Sequence, residues 1–175
     1  MYNTNAPTFP EHVDTEHFRA TTIVLPAFAG SQIRNGPYGG ISAPDSSTGE
    51  THAVSDTSLD VAVFCQSIEW IVEHNVKIRD ALLASLVEHY NEMRELVIES
   101  LVDEDPDDVV PKIKNSNELL PLCGLVAVHL HSVSDNGTPE FGIELGCNWE
   151  TEHGAGARFS GLEVKSAGEA DYAFS

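Results

Sequence analysis

The chain is short of basic residues: nine Lys and Arg stand against 28 Asp and Glu in 175 residues, a formal charge of −19. Nucleic-acid binding depends on Lys and Arg neutralising phosphates, so this balance excludes a nucleic-acid partner, and it repels anionic membrane surfaces as well. No apolar run is long enough for a membrane-spanning helix. Met1–Pro10 has neither the basic nor the apolar stretch of a secretion signal. Cysteine is also scarce. Cys65, Cys123 and Cys147 are far apart and form no Cys-x-x-Cys pair, which excludes zinc-knuckle and thioredoxin-like motifs. Each has apolar neighbours and reads as a small buried hydrophobe in a reducing compartment, so the protein is expected in the cytoplasm. The motifs of common chemistries are missing too. There is no Gly-x-Ser-x-Gly elbow and no Gly-Lys-Ser/Thr phosphate loop, and Gly154-x-Gly156 lacks the third glycine and the following helix of a dinucleotide cradle.

Hydrophobic residues at 41% and charged residues at 21% are ordinary for a globular chain. The acidity is uneven: residues 66–110 hold twelve acids and three bases, residues 1–65 seven and two, and residues 111–175 nine and four. Such a field attracts a basic protein and speeds its association at low salt; it also keeps a protein soluble, the plainer reading of the same charge.

Residues 1–17 read as a flexible N-terminal tail and residues 18–175 as one α+β domain. Thr21–Leu25 is β-branched and stopped by Pro26, which predicts a strand. Gly30–Gly49 is punctuated by glycine and proline and reads as a loop with a short strand at Tyr38–Ile41. Thr51–Val54 and Leu59–Phe64 are further strand candidates. From Ser67, a plausible N-cap, the period becomes helical. One helix is expected to His74 and a second from Lys77 to Val102, with a short third over Asn115–Leu122. On the second, Leu82, Leu86, Tyr90, Met93, Val97 and Leu101 form one apolar stripe. Glu88, Glu92, Glu95, Glu99 and Asp103 form a carboxylate ridge on nearly the opposite side.

Leu125–Val133 and Phe141–Trp149 alternate as strands around Asn136-Gly137, the dipeptide of a two-residue type I′ hairpin. That turn sets Val133 opposite Glu140, Leu130 opposite Ile143 and His129 opposite Glu144. Val126, Val128 and Leu130 then share an apolar face with Phe141, Ile143, Leu145, Cys147 and Trp149. Ala157–Phe159 and Leu162–Lys165 continue an antiparallel meander, with two to three helices packed on its apolar face.

Two groups of residues offer chemistry. His129 and His131, two apart on one strand, with Glu144 across from them and His153 in the following loop, make a His-x-His plus carboxylate set that suits zinc or iron. The same residues are also ordinary cross-strand neighbours on the wet side of a half-buried sheet. The second group is Arg34-Asn-Gly-Pro-Tyr-Gly-Gly, a glycine-rich turn in which Arg34, one of two bases in the first 65 residues, is expected to pair with an internal carboxylate.

Arg34-Asn-Gly-Pro-Tyr-Gly-Gly, Ile78-Arg-Asp-Ala-Leu-Leu, Leu119-Leu-Pro-Leu-Cys-Gly-Leu, Phe141-Gly-Ile-Glu-Leu-Gly-Cys-Asn-Trp-Glu-Thr-Glu-His-Gly-Ala-Gly and Gly168-Glu-Ala-Asp-Tyr-Ala-Phe follow one another in an order that resembles an uncharacterised bacterial domain-of-unknown-function family over residues 20–174. The resemblance implies a small cytoplasmic protein, with an immunity-like partnership with a toxin among its roles, and brings no activity or catalytic residue. The first functional expectation is therefore a non-catalytic module without a cofactor whose Glu88, Glu92, Glu95 and Glu99 dock a basic protein. The alternative is a metal-dependent enzyme using His129, His131, Glu144 and His153 with zinc or iron. A homodimer joined through sheet or helix surface is the third reading.

Overall fold

A computed structural model describes residues 11–35 and 40–175, with the side chains of residues 35–44 left aside. The main sheet has seven strands in the order β1-β2-β5-β6-β7-β8-β9. These are β1 (Val13–Asp14), β2 (Phe18–Val24), β5 (Glu50–Asp56), β6 (Cys123–Val133), β7 (Pro139–Cys147), β8 (Ala155–Ser160) and β9 (Glu163–Gly168). β3 (Gln32–Asn35) and β4 (Gly40–Ser46) form a separate two-stranded ribbon. The expected strand at Tyr38–Ile41 falls partly outside the described residues. Most of the expected tail, residues 1–10, lies outside them too; of its remaining residues, Val13 pairs with Ala20 and Asp14 with Arg19. Arg19 Nε donates to Asp14 Oδ1 at 2.8 Å.

The α+β class holds, and β6 to β9 form the antiparallel meander. The sheet as a whole is mixed, because β5 runs parallel to β6. A parallel neighbour needs a crossover, and the helical segment between the two strands supplies it. Leu59–Phe64 does not form the expected strand. Asp60 Oδ1 accepts from Ala62 N at 2.8 Å and Val63 N at 3.3 Å, and this cap starts α1 (Val61–Glu73). Ser67, expected as a cap, is buried inside that helix. A capped backbone burying Phe64, Cys65, Ile68 and Ile71 at helical spacing outweighs the β preference of Val61 and Val63.

The expected long helix is two, α2 (Asn75–Ser85) and α3 (Val87–Ser100), joined at Leu86. The Ser85 hydroxyl donates to the Leu82 carbonyl, a local bond that loosens the helical ladder there. Leu82, Leu86 and Tyr90 of the apolar stripe are fully buried, and Met93 and Val97 pack at its margin. Asp103 lies beyond the end of α3. After α4 (Pro106–Val109), Ser116–Leu122 is a 3-10 helix capped by Asn115.

The helices lie on one sheet face over Ile23, Ala53, Val128, Leu130, Phe141, Ile143, Leu145 and Phe159. Phe141 and Phe159, opposite each other in register, stack with ring centroids 5.0 Å apart. Trp149 meets Tyr90 edge-on at 5.2 Å.

The hairpin reversal at Asn136-Gly137 is real, but it is a three-residue loop. Ser134 N bonds Thr138 O, Gly137 N bonds Ser134 O, and Gly137 takes the left-handed conformation at φ 79°. Val133 therefore faces Pro139, and Ser132 faces Glu140. An extra residue at His131 shifts the ladder once more, so that His129 faces Gly142 and Ala127 faces Glu144, and a second at Val126 sets Leu125 opposite Leu145. Val126, bulged, leaves the apolar face, and Leu125 takes a buried place there.

Candidate functional site

The sheet face away from the helices carries the histidines, and its occupation follows from its glycines. A Cβ on Gly142 would stand 1.8 Å from Ala173 O, and one on Gly156 would stand 3.1 Å from Ala170 Cα. Hydrogen at Gly142, and the close fit at Gly156, let the C-terminal 3-10 turn Ala170–Ala173 lie flat across β7 and β8 as a strap. Polar groups then fasten it. His131 Nε2 is 2.8 Å from Ala173 O, Arg158 Nη1 donates to Ser175 O at 2.7 Å, and the Phe174 ring stands edge-on to His129 at 4.9 Å.

Glu144 and His129 are brought together. His129 Nε2 is 2.8 Å from Glu144 Oε2, each side chain about one-fifth exposed. The three-residue loop and the bulge at His131 together move them from opposite to diagonal positions, still within reach of two long side chains. His131 shares their side of the sheet but is engaged with the strap. Burial lowers the pKa of His131; its bond to Ala173 opposes that, the Arg158 and His129 charges add to it, and Glu140 opposes it. His153 is 62% exposed and meets Glu150 Oε1 at 3.4 Å, at the rim of a surface hollow that Glu144 and Phe174 also line. Among the described residues no group of three His, Cys, Asp or Glu side chains is placed to hold one metal ion.

The Arg34 ribbon covers the other end of the same face, where a Cβ on Gly124 would stand 2.0 Å from Gln32 O. Arg34 is 6% exposed. Its described hydrogen bonds run to amide oxygens, Nε to Gln32 Oε1 and Nη2 to Asn148 Oδ1, both at 2.8 Å. Gly36–Gly39 of that motif lie outside the described residues. Cys123 and Cys147, directly opposite each other in β6 and β7, are buried free thiols. Burial pushes both up in pKa, Cys147 to about 12. As thiols rather than thiolates, they are poor nucleophiles and poor metal ligands.

On α3 the carboxylate ridge is present: Glu88, Glu92, Glu95 and Glu99 are all exposed. Arg94, the one base of α3, turns away to Val110 O at 2.7 Å and Asp107 Oδ1 at 3.3 Å. Among the described residues none of the four glutamates is in an ion pair. Leu96, 57% exposed, stands among them. The strap extends this acidic surface in a way the sequence reading missed. Glu169 and Asp171 line a hollow of about 590 Å³ together with Glu88 and Glu92. The segment Gly168-Glu-Ala-Asp-Tyr signalled a motif, but its meeting with α3 is a tertiary event without a local signature.

No described helix is long and apolar enough to cross a membrane. A family described as a domain of unknown function (DUF6985) matches residues 52–174, from β5 to the strap, and leaves the Arg34 ribbon outside. No curated protein and no solved structure matches the chain.

Proposed function

For a chain that belongs to the DUF6985 family of domains of unknown function, we propose a non-catalytic binding module that presents α3 to a basic protein. The observation that carries this reading is the ridge of Glu88, Glu92, Glu95 and Glu99, exposed and, among the described residues, without ion pairs. Like charges three and four apart on a helix destabilise it by about 0.2–0.5 kcal/mol per pair. The fold bears that cost where a cation from outside relieves it. Leu96, exposed along one flank of the ridge, gives the same surface an apolar contact. Three buried free thiols suit a reducing interior, so the partner is sought in the cytoplasm. A toxin whose basic site is covered by an acidic immunity-like protein is one such partner.

The test is charge reversal. The variant with all four glutamates changed to lysine should lose most of its capture of a cationic test protein. The capture that remains should depend less steeply on salt. Unchanged capture with unchanged salt dependence overturns the assignment.

A further inference from the structure

Cys123 and Cys147 stand directly opposite each other at the base of the β6–β7 hairpin. Directly opposite residues of an antiparallel pair share one side of the sheet, and both of these are buried there. Their place in the ladder matters as much. Cys123 N donates to Leu120 O, and Asn148 N donates to Leu122 O at 3.0 Å, one residue outside the pair. The two cysteines therefore occupy a non-hydrogen-bonded position, where facing Cα atoms approach to about 4.5 Å. A disulfide joins Cα atoms about 4.4–6.8 Å apart. The backbone already holds this pair within bonding range. In the thiol form each sulfur faces a nearby carbonyl, Cys123 at 3.8 Å from Leu120 O and Cys147 at 3.5 Å from Glu150 O. Rotation about χ1 turns both sulfurs across the ladder. Cys65 is placed differently: it lies on α1, and the charges acting on it are Glu69 and Arg19 rather than another thiol.

We infer that Cys123 and Cys147 form a reversible disulfide that locks β6 to β7 when the chain meets a small disulfide such as oxidised glutathione. One cysteine thiolate attacks a sulfur of the small disulfide, whose S–S bond breaks and releases one small thiol. The second cysteine thiolate attacks the protein sulfur of that mixed disulfide and expels the other small thiol. Both cysteine protons end on the released thiols, and the small disulfide takes up both electrons. Burial holds both cysteines as thiols and so closes this route in the folded protein. The exchange therefore runs while β6 and β7 are apart, during folding or after unfolding, and the ladder then holds the product. The Cα separation sits at the short end of the disulfide range, and a strained bond is more easily reduced. That suits a lock that opens again in a reducing interior. Neither cysteine belongs to the acidic surface, so the docking reading is tested separately.

The experiment refolds the full chain from urea in a mixture of oxidised and reduced glutathione, and separately in reduced glutathione alone. The mixture should yield a chain lighter by two hydrogens, whose peptide map joins Cys123 to Cys147 and leaves Cys65 open to alkylation after unfolding. That product should melt roughly 5–15 °C above the reduced protein. Unfolding it and refolding it in reduced glutathione alone should restore three free thiols and the lower Tm. Three free thiols recovered from the mixture, glutathione retained on either cysteine, or a bond that includes Cys65 overturns the pairing. A Cys123–Cys147 bond that leaves Tm unchanged or lowers it overturns the lock, because the native ladder would then not accept the cross-link.

Discussion

His129 Nε2 lies 2.8 Å from Glu144 Oε2 although neither residue is the other's register partner. The pair joins β6 to β7 diagonally beside the Phe174 ring, under the edge of the strap. A double-mutant cycle with His129→Ala and Glu144→Ala should return a coupling of about 0.5–1.5 kcal/mol in urea unfolding. A coupling near zero would mean that the contact contributes nothing to holding the sheet.

The strap depends on the missing side chain at position 142. Gly142→Ala puts a methyl where Ala173 O stands and should cost about 1–3 kcal/mol as the strap is pushed away. Limited proteolysis should then cut near residues 170–174 in the variant before the wild type. Gly137→Ala provides the contrast: its φ is positive but nothing lies within 4 Å of the added carbon. It should cost only about 1 kcal/mol, with no change in strap cleavage.

Acid should weaken the fold partly through His131. Burial is the main cause of its lowered pKa, so the unfolded chain binds a proton near the ordinary value of 6.5 and the folded chain only below it. The unfolded state therefore holds more protons across that interval. This contribution to stability is complete above pH 6.5 and is lost as the pH falls toward the folded-state value. Tm measured against pH should fall less steeply below that point in His131→Asn than in the wild type. Parallel curves would show that His131 does not carry the effect.

Cys123 and Cys147 should be silent toward thiol reagents in the native protein. Their raised pKa values leave almost no thiolate at neutral pH, and neither side chain is open to solvent. Labelling should be slow until denaturant is added and fast afterwards; rapid native labelling of either thiol would contradict the burial described for β6 and β7.

The sequence carries the parts of this fold that rest on local pattern. The apolar stripe through Leu82, Leu86 and Tyr90 and the alternation of Val128 and Leu130 against Phe141 and Ile143 are visible because period alone reveals a buried face. The reversal at Asn136-Gly137 is visible, but its length is not, since the same dipeptide serves two- and three-residue loops. The bulges at Val126 and His131 leave no local mark, and with them the true register of β6 stays hidden. Val61-Ala-Val-Phe has strand composition, and only the Asp60 cap explains why it begins a helix. The exposed ridge of α3 was legible from spacing. The strap was not: Gly142 and Gly156 look like any strand glycines until Ala173 and Ala170 are seen resting on them.

The most direct test of the docking surface is a map of where a cation binds. Amide shifts of the full chain titrated with hexa-arginine at low salt should move most over residues 88–99 and at Glu169–Tyr172. The equally acidic stretch Asp103–Asp108 should move less, because it has neither the exposed leucine nor the walled hollow. Shifts that follow acidic residues evenly along the chain, or that centre on Asp103–Asp108, would contradict the account.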